Sequence, residues 1–251
     1  MPTPFSIVMI CRNGSREIAR TLSGLIGMTD DIVVYDTGSI DGTQDIVRTF
    51  PVRLIEGDWK GFGPTKNTAN AMAKHDWILS LDSDEVPDEK LKQSLAVFDP
   101  SSTTTVYACS FLNFIGDKPL HFGEWGWDKH VRLFNRTQVK WDAEPVHEQL
   151  IYPASVVQSK LVGKIYHRTV RDWTDHRQKM DQYATMNARK YFEQGKRSPL
   201  WKRLLSPPFT FINYYVFRFG FLDGSAGFQC AWMTALYTHW KYMRLRQLYR
   251  S

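Results

Sequence analysis

A chain of 251 residues with 43% hydrophobic and 23% charged residues can bury a sizeable core and is too apolar to be a disordered segment. Its 32 lysines and arginines against 26 acids give a formal charge of +6, which favours anionic partners such as nucleic acid, anionic lipid or phosphorylated ligands. Three widely spaced cysteines, Cys11, Cys109 and Cys230, show neither a disulfide framework nor a zinc spacing, and predict buried thiols in a reducing compartment.

The apolar run Phe5–Ile10 predicts a buried strand. It is short and meets Cys11-Arg12-Asn13 at once, so a cleavable signal peptide is not expected. Asn13-Gly14-Ser15 ends the strand and opens a helix from Arg16 towards Leu25. Asp31–Tyr35 predicts a second buried strand and Asp36-Thr37-Gly38-Ser39 a turn. Asp41 then fits a helix N-cap, with Gln44 as its capping-box partner. Val52–Glu56 predicts a third strand, Thr65–Lys74 a helix, and Trp77–Leu81 a fourth strand that runs into Asp82-Ser83-Asp84-Glu85. Less regular strands are expected near Thr105–Phe111, His130–Phe134 and Leu161–His167, and a long helix over Trp173–Gln194. Pro207-Pro208 predicts a break. An aromatic stretch, Phe209–Leu222, follows, then Asp223-Gly224 and a last segment, Ser225–Leu248.

Strands separated by short helices predict an α/β fold with parallel pairing and ligand binding at the carboxyl ends of the strands. Asp36 and the Asp82–Asp84 pair both fall at such ends. The expected organisation is a catalytic α/β domain over residues 1–170 and a helical extension over 171–251. Asp82 and Asp84, one residue apart, suit a hard cation such as Mg²⁺ or Mn²⁺. Bridging a diphosphate, that cation would offset charge on a departing nucleotide. Carboxylates at this spacing are ordinary in solvated turns; their place after a buried strand favours function. Asp36 shows no local duty and is expected to accept hydrogen bonds from a base or ribose, whereas Asp41 is explained by helix capping.

DIVVYDTGSIDGT and KNTANAMAKHDWILSLDSDE together resemble the nucleotide-binding half of the family 2 glycosyltransferases, which adopt the GT-A fold. Val131-Arg132-Leu133-Phe134, Pro145-Val146-His147-Glu148 and Gly220-Phe221-Leu222-Asp223-Gly224 resemble the bacterial lipopolysaccharide-core glucosyltransferase group within it. The resemblance implies an inverting, metal-dependent transfer from a nucleotide-sugar donor, UDP-glucose, to a lipid-linked saccharide such as a heptose of the lipopolysaccharide inner core. It places Asp36 at the nucleobase, Asp82 and Asp84 at the metal and ribose-diphosphate, with Asp84 the more direct ligand, and Lys66 facing the donor. Asn13 is kept from the usual first loop, although Cys11-Arg12 replaces Thr-Tyr. An inverting transferase needs a general base for the acceptor hydroxyl. Glu148 is the choice, with Glu144 and Asp128 as alternatives and His147 beside it on the acceptor side. Arg132 suits either a phosphate contact or a partner for one of these acids. Trp125, Trp127 and Trp141 suit either a sugar-stacking wall or core packing.

No uncharged apolar run plainly reaches the ~20 residues of a spanning helix. Aromatics between Phe209 and Phe221, flanked by Lys196, Arg197, Lys202 and Arg203 and by Lys241, Arg244, Arg246 and Arg250, predict a helix pair lying in a membrane interface. The expected place is the cytoplasmic face of the inner membrane, peripherally bound, with no nucleic-acid partner. The competing readings are a nucleotidyltransferase, disfavoured because the first loop is not Gly-rich and basic, and a non-catalytic basic membrane-surface protein, which leaves the acids unexplained.

Overall fold

The computed structural model of the chain describes residues 3–100, 102–143 and 149–250. In chain order its first half comprises β1 (Ser6–Cys11), α1 (Ile18–Leu25), β2 (Ile32–Asp36), α2 (Thr43–Arg48), β3 (Arg53–Glu56), α3 (Phe62–Ala71), β4 (Trp77–Ser80), β5 (Glu85–Pro87) and α4 (Glu89–Ala96). Then come β6 (Thr105–Ile115), β7 (Lys118–Leu120), β8 (Lys129–Asn135), β9 (Lys140–Trp141), β10 (Leu150–Ile151) and β11 (Val157–Val170). The chain ends in α5 (Trp173–Glu193), α6 (Leu200–Ile212), a π-turn (Asn213–Phe217), a 3₁₀ turn (Gly220–Asp223) and α7 (Gly224–Leu248).

These elements form two compact units. One holds residues 1–111 and 129–167, the other residues 112–128 and 168–251. The segment 112–128 thus groups with the C-terminal helices, which a single division of the sequence after residue 170 does not capture.

The first unit is built on a sheet whose order is β3-β2-β1-β4-β8-β6-β11-β5. β1 pairs in parallel with β2 and β4, and β2 with β3, as expected of strands linked by helices. β8 then runs antiparallel to β4, and β11 antiparallel to β5. The parallel strands read as unbroken apolar runs because both of their faces are covered. Ile7, Met9, Val34 and Leu79 enter one buried cluster; Val8, Val33, Tyr35 and Ile78 enter another. At the amino ends, buried Asp31 accepts from Ser6 Oγ (2.6 Å), the Lys74 amide (2.7 Å) and Arg53 (2.9 Å), which ties three strand starts together.

Two local expectations need correction. The N-cap residue of α2 is Gly42, not Asp41. Asp41 instead accepts from the Thr43 amide and from the Ser15 amide of the first loop, both at 3.1 Å, and Gln44 turns to Asp36. Pro207-Pro208 does not break the chain either, since α6 passes through both residues. Two prolines remove two backbone donors at a cost of about 3 kcal/mol or more each. Packing against α7 compensates: Phe211 beyond the prolines sits 5.5 Å from Phe228 and 6.2 Å from Trp232, ring centre to ring centre.

The second unit packs α5 and α6 on α7. Ile115, Leu120, Val170, Ala226 and Cys230 form one small core, with Trp125 and Trp173 against it. Asp172 caps α5 by accepting from the Asp175 amide (2.8 Å). Gly227 is required where α7 crosses the 3₁₀ turn, because a Cβ there would lie 1.8 Å from the Gly220 carbonyl oxygen. Asp223 accepts from the amides of His121 and Phe122 (3.0 and 2.9 Å), so the 121–128 segment hangs on the turn before α7. Among the described residues no helix is long and apolar enough to cross a membrane.

Candidate active site

The carboxyl ends of β1, β2 and β4 bring together the first loop, the Asp36–Asp41 turn and the acidic motif. Asn13, with a left-handed φ of 53°, accepts from the Ile40 amide through its side chain (2.9 Å) and donates its own amide to Ser39 Oγ (2.8 Å). Asn13 therefore joins two loops.

Asp36 has a local duty that its sequence context did not suggest. Its Oδ1 accepts from the amides of Gly38 (3.0 Å) and Ser39 (2.8 Å) and from Gln44 Nε2 (2.8 Å), and its Oδ2 accepts from Ser39 Oγ (2.5 Å). The residue is fully buried. Burial would raise its carboxyl, but the hydrogen bonds from Gln44 and Ser39 prevail and hold it below the usual range. Neighbouring Thr37, rather than Asp36, lines the adjoining cleft.

The acidic motif is held by side chains from three elements. Thr21 of α1 donates to the Ser83 carbonyl (2.8 Å), which holds the turn from below. Lys66 of α3, 5% exposed, reaches Asp82 Oδ1 at 3.3 Å, with its Nζ 4.6 Å from the centre of the Trp141 ring. Arg132 of β8 bridges Asp82 Oδ2 (3.2 Å) and Glu85 Oε1 (2.5 Å). Glu85, fully buried, returns Oε2 to the Asp82 amide (3.1 Å). Burial pushes Glu85 above the carboxylate range despite Arg132. Asp82 moves the other way: burial raises it, but Lys66 and Arg132 outweigh that and hold it well below. A phosphate contact or a partnership with one of the acceptor-side acids was expected of Arg132. Among the described residues it pairs with two carboxylates of the acidic motif, and its Nε finds no partner among them.

Asp84 points elsewhere. His167 of β11 lies in register with Glu85, which brings its Nε2 to 3.6 Å from Asp84 Oδ1. Among the described residues no group of three or more His, Cys, Asp or Glu side chains is placed to hold a metal. The donor set still fits one. Asp84 and His167 offer oxygen and nitrogen, both oxygens of Asp82 are already paired with cations, and a bound diphosphate can supply the remaining oxygens.

Two clefts open here. One, of about 520 Å³, is lined by Ile10, Cys11, Arg12, Thr37, Trp59, Phe62, Lys66, Asp82 and Ser83. The other, of about 550 Å³, is lined by Lys66, Asp82, Lys129, His130, Arg132, Trp141 and Tyr152 among others. They share Lys66 and Asp82. The sequence reading missed Trp59 and Phe62, which meet edge to face at 4.8 Å on the wall of the first cleft while each stays 42% exposed. Two aromatics three residues apart in the Gly- and Pro-rich run 57–64 were the available signal. It also missed Glu85 and His167, whose approach depends on strand pairing.

Glu144, His147 and Glu148 lie outside the described residues. Asp128 belongs to the second unit, where Asn113 Nδ2 donates to it at 3.1 Å. Trp141 packs in the core of the first unit and edges the second cleft; in the second unit Trp125 packs against His176 (5.2 Å) and Trp127 is exposed.

A mixed sheet whose parallel strands end at an acidic turn backed by buried cations is a GT-A-like architecture. Residues 6–219 match the model of glycosyl transferase family 2, and the chain belongs to that family of glycosyltransferases. It is 27% identical over 250 residues to the lipopolysaccharide core biosynthesis glycosyltransferase LpsC of Rhizobium meliloti (strain 1021), a match covering 92% of this chain and 90% of that protein. It is 24% identical over 258 residues to an uncharacterized glycosyltransferase of Rickettsia prowazekii (strain Madrid E), covering 97% and 87%. The crystal structure of S. aureus TarS 1-349 in complex with UDP-GlcNAc shares the fold with a TM-score of 0.50 at 13% identity, covering 98% of this chain and 92% of that one.

Proposed function

We propose that this chain moves a hexose, glucose, from UDP-glucose to a lipid-linked saccharide such as the lipopolysaccharide inner core, with inversion and with a divalent metal. The observation that carries the reading is the pair of clefts sharing Lys66 and Asp82, one suited to a donor and the other to an acceptor. On the donor side, Asp36 and Asn13 hold the turn that presents Thr37, and Lys66 meets the diphosphate beside Asp82. Asp84, with His167, would hold Mg²⁺ or Mn²⁺, which would stabilise charge on the departing diphosphate. Arg132 keeps Asp82 in place.

On the acceptor side, a carboxylate takes the proton of the attacking hydroxyl as that oxygen bonds to the anomeric carbon and the bond to UDP breaks. Glu148 is the proposed base, beside His147, with Glu144 and Asp128 as the other candidates. The similarity to LpsC, whose name places it in lipopolysaccharide core synthesis, supports the acceptor class. A lipid-linked acceptor implies work as a peripheral protein on the cytoplasmic face of the inner membrane, without a nucleic-acid partner.

The test is transfer of labelled glucose from UDP-glucose to isolated lipid-linked core acceptor, with the new linkage assigned by NMR. A β linkage and an inactive but folded Glu148→Gln variant are expected. An α linkage would refute inversion, and full activity in Glu148→Gln would move the base to Glu144 or Asp128.

A further inference from the structure

α6 is a helix that buries none of its residues. Trp201, Leu204, Leu205, Phe209, Ile212 and Val216 recur at helical spacing and so share one face that continues into the π-turn. Leu204 and Leu205 are 62% exposed, and Trp201 and Phe209 are 62% and 65% exposed. Along α6 alone the stripe runs for roughly 16 Å at 1.5 Å per residue. A contiguous apolar face of this kind on a water-facing helix marks an interaction surface.

The charge around it indicates the partner. From Gly195 to the C-terminus there are nine lysines and arginines and a single acid, Asp223. Desolvation, and then the like charges of Arg203 on α6 and of Arg250, depress the Arg246 guanidinium. Lys202 and Lys196 crowd Lys241 in the same way, again after burial. Arg197 stacks on Tyr249 at 3.9 Å. Arg203, Arg246 and Lys202 have no carboxylate partner among the described residues. Like charges held together without counter-charge cost stability in water, and an anionic surface relieves that cost. A second copy of this chain would bring the same cations and deepen the repulsion.

We infer that the α6 face is an interfacial lipid-docking surface. Trp201, Leu204, Leu205 and Phe209 enter the acyl boundary of an anionic bilayer, and Lys202, Arg203 and Arg246 meet its headgroup charge. The inference specifies the membrane contact of the proposed function but does not depend on the transfer chemistry.

The experiment is sedimentation of the full chain with vesicles of phosphatidylcholine alone or with phosphatidylglycerol, without donor or acceptor. UDP binding to the same preparations is followed separately. Wild type is expected to partition onto the anionic vesicles, less so at high salt. The Leu204→Ser/Leu205→Ser/Phe209→Ser variant should lose at least about tenfold in partition coefficient, and Arg203→Gln/Arg246→Gln should lose its preference for anionic lipid. UDP binding should stay unchanged in both. As a second readout that needs no destabilising change, brominated lipid should quench a fluorescence component that Trp201→Phe removes. Failure of wild type to sediment, equal binding by the serine variant, or quenching that persists in Trp201→Phe would overturn the assignment. So would an apolar-face-dependent dimer that ignores vesicles.

Discussion

Replacing Arg132 with methionine is the most informative single change, because this guanidinium holds two carboxylates at once. Methionine approximates the length of the side chain but leaves Glu85, fully buried, without its cation at 2.5 Å, and removes one of the two cations from Asp82. Breaking a buried ion pair from one side costs about 3–5 kcal/mol, because the remaining charge stays desolvated. For a protein of this size that corresponds to a fall of roughly 10 °C in melting temperature. Glu85 is already pushed up by burial, so in the variant it takes up a proton, which caps the loss. Adding Glu85→Gln should therefore recover part of the loss, with a coupling of about 1–3 kcal/mol between the two sites. Denaturant unfolding of wild type, both single variants and the double closes the cycle. A loss under about 1 kcal/mol in Arg132→Met, or a double variant no more stable than additivity predicts, would show that the bridge does not anchor the acidic motif.

Three further outcomes are expected. Asp84→Asn should keep the wild-type circular dichroism but lose metal-dependent nucleotide stabilisation and at least about 10²-fold in transfer, read by thermal shift and by product formation. His176 is buried, with no partner at Nδ1 among the described residues, and burial lowers its pKa to about 4 from the ordinary 6.5. Stability should thus be complete above about pH 6.5 and be lost towards about pH 4, by no more than ~3 kcal/mol, since the unfolded chain binds the proton first. Unfolding across that window should show a shallower slope in His176→Phe, and identical slopes would remove His176 as the cause. Asp223→Ala leaves the His121 and Phe122 amides without their acceptor and should cost about 1–3 kcal/mol in denaturant unfolding; a change under half of one kcal/mol would show that water replaces the carboxylate.

The parallel half of the sheet was legible because β1, β2 and β4 are covered on both faces and read as unbroken apolar runs. The acidic turn was legible because Asp82 follows such a run directly. What the sequence hid was the use of side chains across distance. Gln44 sits three residues after Asp41, as a capping box requires, yet it turns back to Asp36, so an acid that looked available for ligand is occupied by its own turn. Arg132 and His167 reach the acidic motif only through the pairing of β8 with β4 and of β11 with β5, and local spacing carries no trace of that register. The double proline was misread because helix propensity gave no weight to the aromatic packing beyond it.

The central claim is a metal-assisted nucleotide-sugar site at Lys66, Asp82 and Asp84. Its most direct test is calorimetric titration of the full chain with UDP, in Mn²⁺ and in chelator, for wild type and Asp84→Asn. Binding that needs both the metal and Asp84 is the predicted result. Equal affinity in chelator and in Asp84→Asn, or no UDP binding by the folded wild type under any condition, would contradict the claim.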